Sequence, residues 1–349
     1  MRRGVGAMSR RTRGAAVAPQ PSVPERLKPL LDAQAACHWL DADGFADHRP
    51  MALHALARLG ADAARLQAHA HALQPRLRPA PAPQAWPVGE AWFSRLGEPA
   101  AWPAYRDLFA QWLEHEAAGD VLQQLLPRLL QGSAGGAFHG LIRTAHAVAA
   151  AHRGELADAL ATWAACWAPL GHPRPDTVPT TRDPEAVLRQ LSVVRSRGPL
   201  LAARQRAAAA APGFDVLAAQ LELHAGSVPQ LAGLAAKAFA ASGDFGVLHL
   251  VTSALALEEL LPFVDPDDGE ALAAARAAWW RGFMATVSAA GLVARPAPPP
   301  QPWPQIVAAA LASDDAHAVK LVDACVMWQA RAPAAGPWAA AATRVLTAM

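Results

Sequence analysis

The chain has 349 residues, enough for one large domain or two ordinary ones and for a substantial core. Its formal net charge of +2 leaves no basic field to grip phosphate backbones, so nucleic acid is not an expected partner. With 53% hydrophobic and 17% charged residues the balance is globular, and no apolar run reads as long enough to cross a bilayer, so a soluble protein without a membrane partner is expected.

The start, "MRRGVGAMSRRTRG", is basic, and the "AAVAPQPSVP" that follows is too short and too broken by proline for the apolar segment of a signal peptide. Residues 1–26 read as a disordered basic tail and 27–349 as one domain. Cys37, Cys166 and Cys325 are an odd number at unrelated spacings, each in an apolar helical context, which suits a reducing, cytoplasmic setting.

Isoleucine occurs only at Ile142 and Ile306, while Ala, Leu and Arg fill the sequence, so helix is favoured almost everywhere and no strand is expected. The first helical pattern, "PMALHALARLGADAARLQAHAHAL", follows His48, with Pro50 suited to a first helical turn and His54 one turn further on. His69 and His71 near its end read as a solvated surface. Proline clusters at "QPRLRPAPAPQAWP", "APLGHPRPDTVPTTRDP" and "ARPAPPPQPWP" cannot continue helices and divide the chain into four helical blocks. No 30–45-residue period repeats. The expected fold is all-α, a single irregular domain of roughly a dozen helices with proline-rich crossings.

Three later stretches place chemistry on apolar helices. In "GGAFHGLIRTAHAV", Ile142, Arg143 and His146 share a helical face with His139, and Gly140 permits close approach beside it; the glycines lack the spacing of a dinucleotide fingerprint. Arg143 is a candidate for an anionic oxygen, with a salt bridge to a buried carboxylate as the alternative. In "GDFGVLHLVTSALALEELLP", Phe245, His249, Thr252 and Ser253 line one face. In "SDDAHAVKLVDACVMW", Ser313 can cap a helix on which His317, Lys320 and Trp328 share a face. A lysine there is desolvated and tends toward the neutral amine, unless it snorkels outward or pairs with Asp323 or Asp244. Any one buried histidine is more often a hydrogen-bonded core residue than a ligand, but four recur at helix starts or on inward faces.

"DHRPMALHALARLGA", "GGAFHGLIRTAHAV", "GDFGVLHLVTSALALEELLP" and "SDDAHAVKLVDACVMW", taken in order, resemble the recurrent blocks of the questin oxidase-like family across residues 41–331. The resemblance implies an oxygenase that opens a ring of a polycyclic aromatic ketone such as an anthraquinone, with a Baeyer–Villiger-type outcome. It also implies a mononuclear Fe(II) site with His48, His139, His249 and His317 as ligands and Lys320 as a carbamate. An aromatic small molecule and dioxygen would be the substrates. No flavin or nicotinamide fingerprint is present, so any reductant, NADPH included, is expected to be external and to come from a partner reductase or from the substrate. Asp47 stands where an amide is more usual, and His146 stands where an aromatic residue is common, which makes His146 a candidate additional ligand or catalytic group. A zinc hydrolase using the same ligands and a metal-free helical binding protein remain the alternatives.

Overall fold

Alanine, leucine and arginine lose little on entering a helix, and the computed structural model, which describes residues 25, 27–174, 176–194, 198 and 200–347, is helical with no strand among the described residues. The tail expected over residues 1–26 lies outside the described residues except for Glu25. Only isolated bridges occur, Cys37 with Pro79, Leu40 with Ala46 and Thr181 with Leu221. Cys37 therefore lies in a bridged loop, correcting its assignment to a helix.

Sixteen α-helices follow in order among the described residues. The first block holds α1 (Lys28–Gln34), α2 (Arg49–Arg58) and α3 (Ala63–Leu73). The periodic run of the first block is broken at Gly60, whose φ of 100° turns the chain, and Asp62 then caps α3 by accepting from the Arg65 N–H at 2.8 Å. The first proline crossing leads to α4 (Trp102–His115), α5 (Ala118–Leu129), α6 (His139–Ala149) and α7 (Arg153–Cys166). After the second come the short α8 (Pro184–Leu188), then α9 (Leu201–Ala209), α10 (Phe214–Ala218), α11 (Ser227–Ser242), α12 (Phe245–Leu260) and α13 (Gly269–Ala290). The third precedes α14 (Trp303–Ala312), α15 (Ala316–Arg331) and α16 (Trp338–Thr347).

Four of these helices close a ring: α2 packs on α6 and α15, and α12 packs on the same two. The other helices wrap this ring, with α7 between α6 and α4, and α13 between α12 and α9. The central position of α12 explains its sequence, since nearly every residue from Gly246 to Leu257 is buried. The stretch Phe245–Phe263 is, at 19 residues, long and apolar enough to cross a membrane, contrary to the expectation that no such run exists, and 78% of its apolar window is buried inside the fold. Here its apolarity is that of a core helix.

Two sequence expectations change on folding. His69 is fully buried and neither ring nitrogen has a hydrogen-bond partner, although the pattern "QAHAHAL" suggested a solvated face. The cap of α15 is Asp315, which accepts from the His317 and Ala318 N–H groups at 2.7 and 2.8 Å; Ser313 instead accepts from the Asp315 N–H.

Close approach of α6 to α7 depends on Gly140, where an added Cβ would stand 2.6 Å from the Trp163 Cα and 2.7 Å from its Cβ. Backbone cannot yield as a flexible side chain can. Gly140→Ala should therefore destabilise the protein by about 1–3 kcal/mol through overpacking, read as a lowered midpoint in urea denaturation.

Candidate metal centre

The ring of α2, α6, α12 and α15 brings its helices together at their N-terminal ends. His48 is the residue before α2, His139 is the first residue of α6, His249 lies in the second turn of α12, and His317 is the second residue of α15. Their imidazoles meet: ring centroids lie 4.7 Å apart for His48 and His139, 4.3 Å for His48 and His317, 5.0 Å for His139 and His249, and 5.4 Å for His249 and His317. The nitrogens of His48, His139 and His317 form a group whose donor atoms all lie within 4.8 Å of one another. That group can hold a metal ion. His249 touches it edge-on from α12.

Local structure fixes which nitrogen faces inward. The His139 Nδ1–H donates to the Gly136 carbonyl at 2.6 Å and the His249 Nδ1–H to the Phe245 carbonyl at 2.9 Å, leaving Nε2 of each as a lone pair. The Nε2 atoms of His48 and His139 stand 2.7 Å apart, close to the spacing of about 3 Å expected for two nitrogens bound side by side to one metal at about 2.1 Å. The Nε2 atoms of His249 and His317 are buried with no partner at all. Burial lowers the basicity of all four rings, and the Lys320 charge lowers each further; His249 falls to about 4. Neutral imidazoles with converging nitrogens are the form that binds metal.

His139 is delivered by an unusual turn. Gly136, Ala137 and Phe138 all have left-handed backbone, with φ of 57°, 57° and 67°. For alanine and phenylalanine this costs energy, and such strain persists only where surrounding contacts impose it. Here Phe138 is fully buried and Gly135 lies so close to α7 that a Cβ there would meet the Cys166 carbonyl oxygen at 2.0 Å. The turn aims the Gly136 carbonyl back at His139.

Lys320 is buried at 2% exposure and makes no hydrogen bond or ion pair with the described residues. Burial brings it down from 10.5 to about 7, against the raising influence of Asp315 and Asp47. Neither pairing partner considered from sequence is open to it. Asp323 receives a bidentate hydrogen bond from Arg58 at 2.7 and 2.5 Å, and Asp244 caps α12 through the Gly246 and Val247 N–H groups. A lysine brought down to about 7 is in part neutral amine at neutral pH, the form that can act as a nucleophile.

Other candidates are placed elsewhere. Arg143 is engaged: its guanidinium donates to both Glu155 oxygens at 2.6 and 2.9 Å and to the Thr162 hydroxyl at 3.2 Å, behind α6 on the α7 side. The salt-bridge alternative is what the structure contains: Glu155 takes two of the N–H groups, and Asp158 stands 3.8 Å from the same guanidinium. His146 pairs with His54, Nδ1 to Nδ1 at 2.9 Å, so α2 and α6 meet through two histidine pairs, and this second pair lies outside the three-histidine group. Thr252 and Ser253 bond back to carbonyls of their own helix, and Ser253 also accepts from the Trp279 indole at 3.0 Å. Trp328 stacks on Trp338 in the core, whereas Phe245 packs edge-on to His249 and His317 at the cavity.

That cavity, about 690 Å³, is lined by His48, His139 and His317 together with Trp39, Phe45 and Phe245. Its size suits a drug-sized molecule. Asp47 was read from sequence only as an unusual neighbour; it accepts from the Gln34 side chain at 2.5 Å and the Arg49 N–H at 2.9 Å, holding the start of α2 in place. The His54–His146 pair was equally missed as a pair, because its two members are 92 positions apart.

Fold and site together define a protein that is helical throughout its described residues, with a partly buried histidine centre that can take a metal, open to an aromatic-walled cavity. The chain belongs to the Questin oxidase-like family, whose family model matches residues 45–325, and that name implies an enzyme of oxidoreductase type. Among curated proteins none matches the chain.

Arg143→Met should cost about 3–5 kcal/mol, because it strands Glu155 as a buried charge, and Arg143→Met with Glu155→Leu should recover much of it; guanidinium denaturation of the three variants checks this. A second prediction concerns Lys320 in chelated protein in CO2-free buffer. The unfolded lysine keeps its proton up to 10.5 and the folded one releases it above about 7, so stability rises with pH through that window, by about 1.4 kcal/mol per pH unit for one proton. Lys320→Met should lack this rise.

Proposed function

We propose that the protein is a non-haem iron oxygenase that cleaves a ring of a polycyclic aromatic ketone of anthraquinone type, with His48, His139, His249 and His317 as ligands and Lys320 as a carbamate. The observation that carries this reading is the convergence of four imidazoles, two of them with buried, unpartnered Nε2 atoms, beside a buried lysine that burial brings down to about 7. Neutral Lys320 adds to carbon dioxide through its Nζ lone pair and loses one proton, giving an anionic oxygen donor where the sequence offers no carboxylate. Asp47, Asp244 and Asp315 are all committed to helix starts. Imidazoles with an anionic oxygen and an open position are a donor set typical of ferrous oxygenases, and iron held there would pass to dioxygen electrons that the substrate or an external reductant must provide.

The chain's own contribution is positional. Hydrogen bonds to the Gly136 and Phe245 carbonyls hold the protons of His139 and His249 on Nδ1, so each Nε2 keeps its lone pair, that of His139 facing the His48 Nε2 and that of His249 without a partner. Trp39, Phe45 and Phe245 supply flat apolar surface against which an aromatic substrate packs and from which water is displaced. Substrate carbons would thereby sit beside the centre, since the same cavity is walled by three of its histidines. Any reductant, NADPH included, would act from outside or through a partner reductase. The three free cysteines suit a reducing, cytoplasmic setting.

The test is metal analysis with oxygen uptake on protein purified without chelator. Stoichiometric iron and substrate-dependent dioxygen consumption are expected; zinc without oxygen uptake would establish the hydrolase instead, and absence of metal would establish a binding protein. His139→Ala and His317→Ala should each lose at least about 90% of bound metal, in line with the loss of a direct ligand, while circular dichroism stays helical. Lys320→Ala should bind weakly and recover partly in formate or acetate, and ¹³C-labelled bicarbonate should give a carbamate resonance in the parent protein alone.

A further inference from the structure

The cavity wall carries several charged side chains, and all but two have an internal partner. Asp41 accepts from the Asp43 and Phe45 N–H groups and pairs with Arg76 at 3.0 Å. Asp47 and Asp315 hold the starts of α2 and α15, and Asp314 pairs with Arg65 at 2.9 Å. The remaining two are Arg204 and Arg206 on α9. Arg206 is exposed. Arg204 is half-buried, and its Nε is fully buried with no hydrogen-bond partner.

The Nε atoms of Arg276 and Arg281 are buried without a partner as well, but each of those side chains donates elsewhere through a terminal nitrogen, whereas Arg204 makes no hydrogen bond with the described residues. A buried N–H without an acceptor costs about 1–3 kcal/mol, and arginine is the side chain best shaped to grip two oxygens in one plane. The helix that bears Arg204 packs on the Gly135–Phe138 turn, the segment that delivers His139. Arg204 thus belongs to the same cavity as the histidine centre and is held by an element in contact with it. By contrast Arg143, which shares a helix with His139, has its fork filled by Glu155.

We propose that Arg204 is the specificity residue of this cavity and binds an acidic oxygen, a phenolate or carboxylate, on a flat apolar ring system. The assignment of the ring system rests on the oxygenase reading above; the acidic oxygen rests on the arginine. Such a ligand would give Arg204 the acceptor it lacks while its rings lie against Trp39 and Phe245. Among the described lining residues the carboxylates are already committed, so an anionic ligand need displace none of them.

The experiment uses the full chain and three probes of one shape: 2-hydroxyanthraquinone, anthraquinone-2-carboxylate and 2-methoxyanthraquinone. Affinities come from titration, and the visible absorption of the bound hydroxy compound reports whether it is held as phenolate. In the parent protein the hydroxy compound should bind as phenolate at a pH where it is largely protonated in solution. Arg204→Met should weaken the phenolate, the carboxylate or both by about 10- to 100-fold, the range for a charge-assisted hydrogen bond, and leave the ether within about twofold. Arg204→Lys should retain an intermediate preference, which a merely unfolded variant would not. Loss on the phenolate alone or the carboxylate alone identifies the oxygen recognised. Equal weakening of all three probes, no weakening, no binding to the parent, or discrimination lost only in Arg206→Met would each overturn the proposal. Discrimination that depends on Arg204 in a protein that holds no iron and consumes no oxygen would remove the oxygenase reading and leave Arg204 standing; oxygen consumption without that discrimination would do the reverse.

Discussion

The structure depends on four imidazoles being held inside a ring of helices with their lone pairs facing one another. Each unpartnered buried nitrogen forfeits the hydrogen bond it would make in water, about 1–3 kcal/mol, and at His249 and His317 no protein donor compensates. Protonation cannot relieve the shortage. Burial pushes every ring toward the neutral form, and a proton on any one would face the Lys320 charge. A cation that accepts several lone pairs at once resolves what protons cannot, which is why the arrangement reads as a metal centre rather than as a polar core.

Helix ends make that concentration geometrically possible. A histidine in mid-helix has neighbours above and below, whereas one at the first turn projects past the end of its own backbone. Two of the four helices begin at an aspartate cap, Asp244 for α12 and Asp315 for α15, and at α2 Asp47, one residue before the cap position, accepts from the Arg49 N–H. Those carboxylates offset the positive ends of the helices at the point where a cation would otherwise be repelled. The start of α6 has no such cap and is held by the left-handed turn at Gly136, Ala137 and Phe138, locked against α7. Strain at the ligand end of α6 is sustained by packing on the other side of the helix.

Much of this was legible in the sequence because it is periodic. The helix positions of His139, His249, His317 and Lys320 follow from local apolar spacing, and the proline crossings are explicit. The same periodicity misled where tertiary packing decides: His69 shares a pattern with solvated helix surfaces yet is fully buried. The break at Gly60 and the Asp315 cap depend on single residues whose competitors, Ala neighbours and Ser313, look as suitable in one dimension. The His54–His146 pair and the α7 carboxylate opposite Arg143 are invisible to any local reading, since they join residues on different helices.

Arginine shows the limit most plainly. On a helical wheel Arg143 shares the face of His139, and nothing in "GGAFHGLIRTAHAV" says that Glu155 will rise from α7 to fill its fork. Arg204, in the unremarkable run "LAARQRAAAA", has no such opponent among the described residues: α9 packs on α10, on α13 and on the turn before His139, and no carboxylate there pairs with it. Function at an arginine is therefore set by what the surrounding elements leave unpaired, a property of the assembled fold and not of the arginine's own helix. Arg143 is held by Glu155 and Thr162 with Asp158 nearby, and Arg204 by none of the described residues; the proposal for Arg204 follows from that difference.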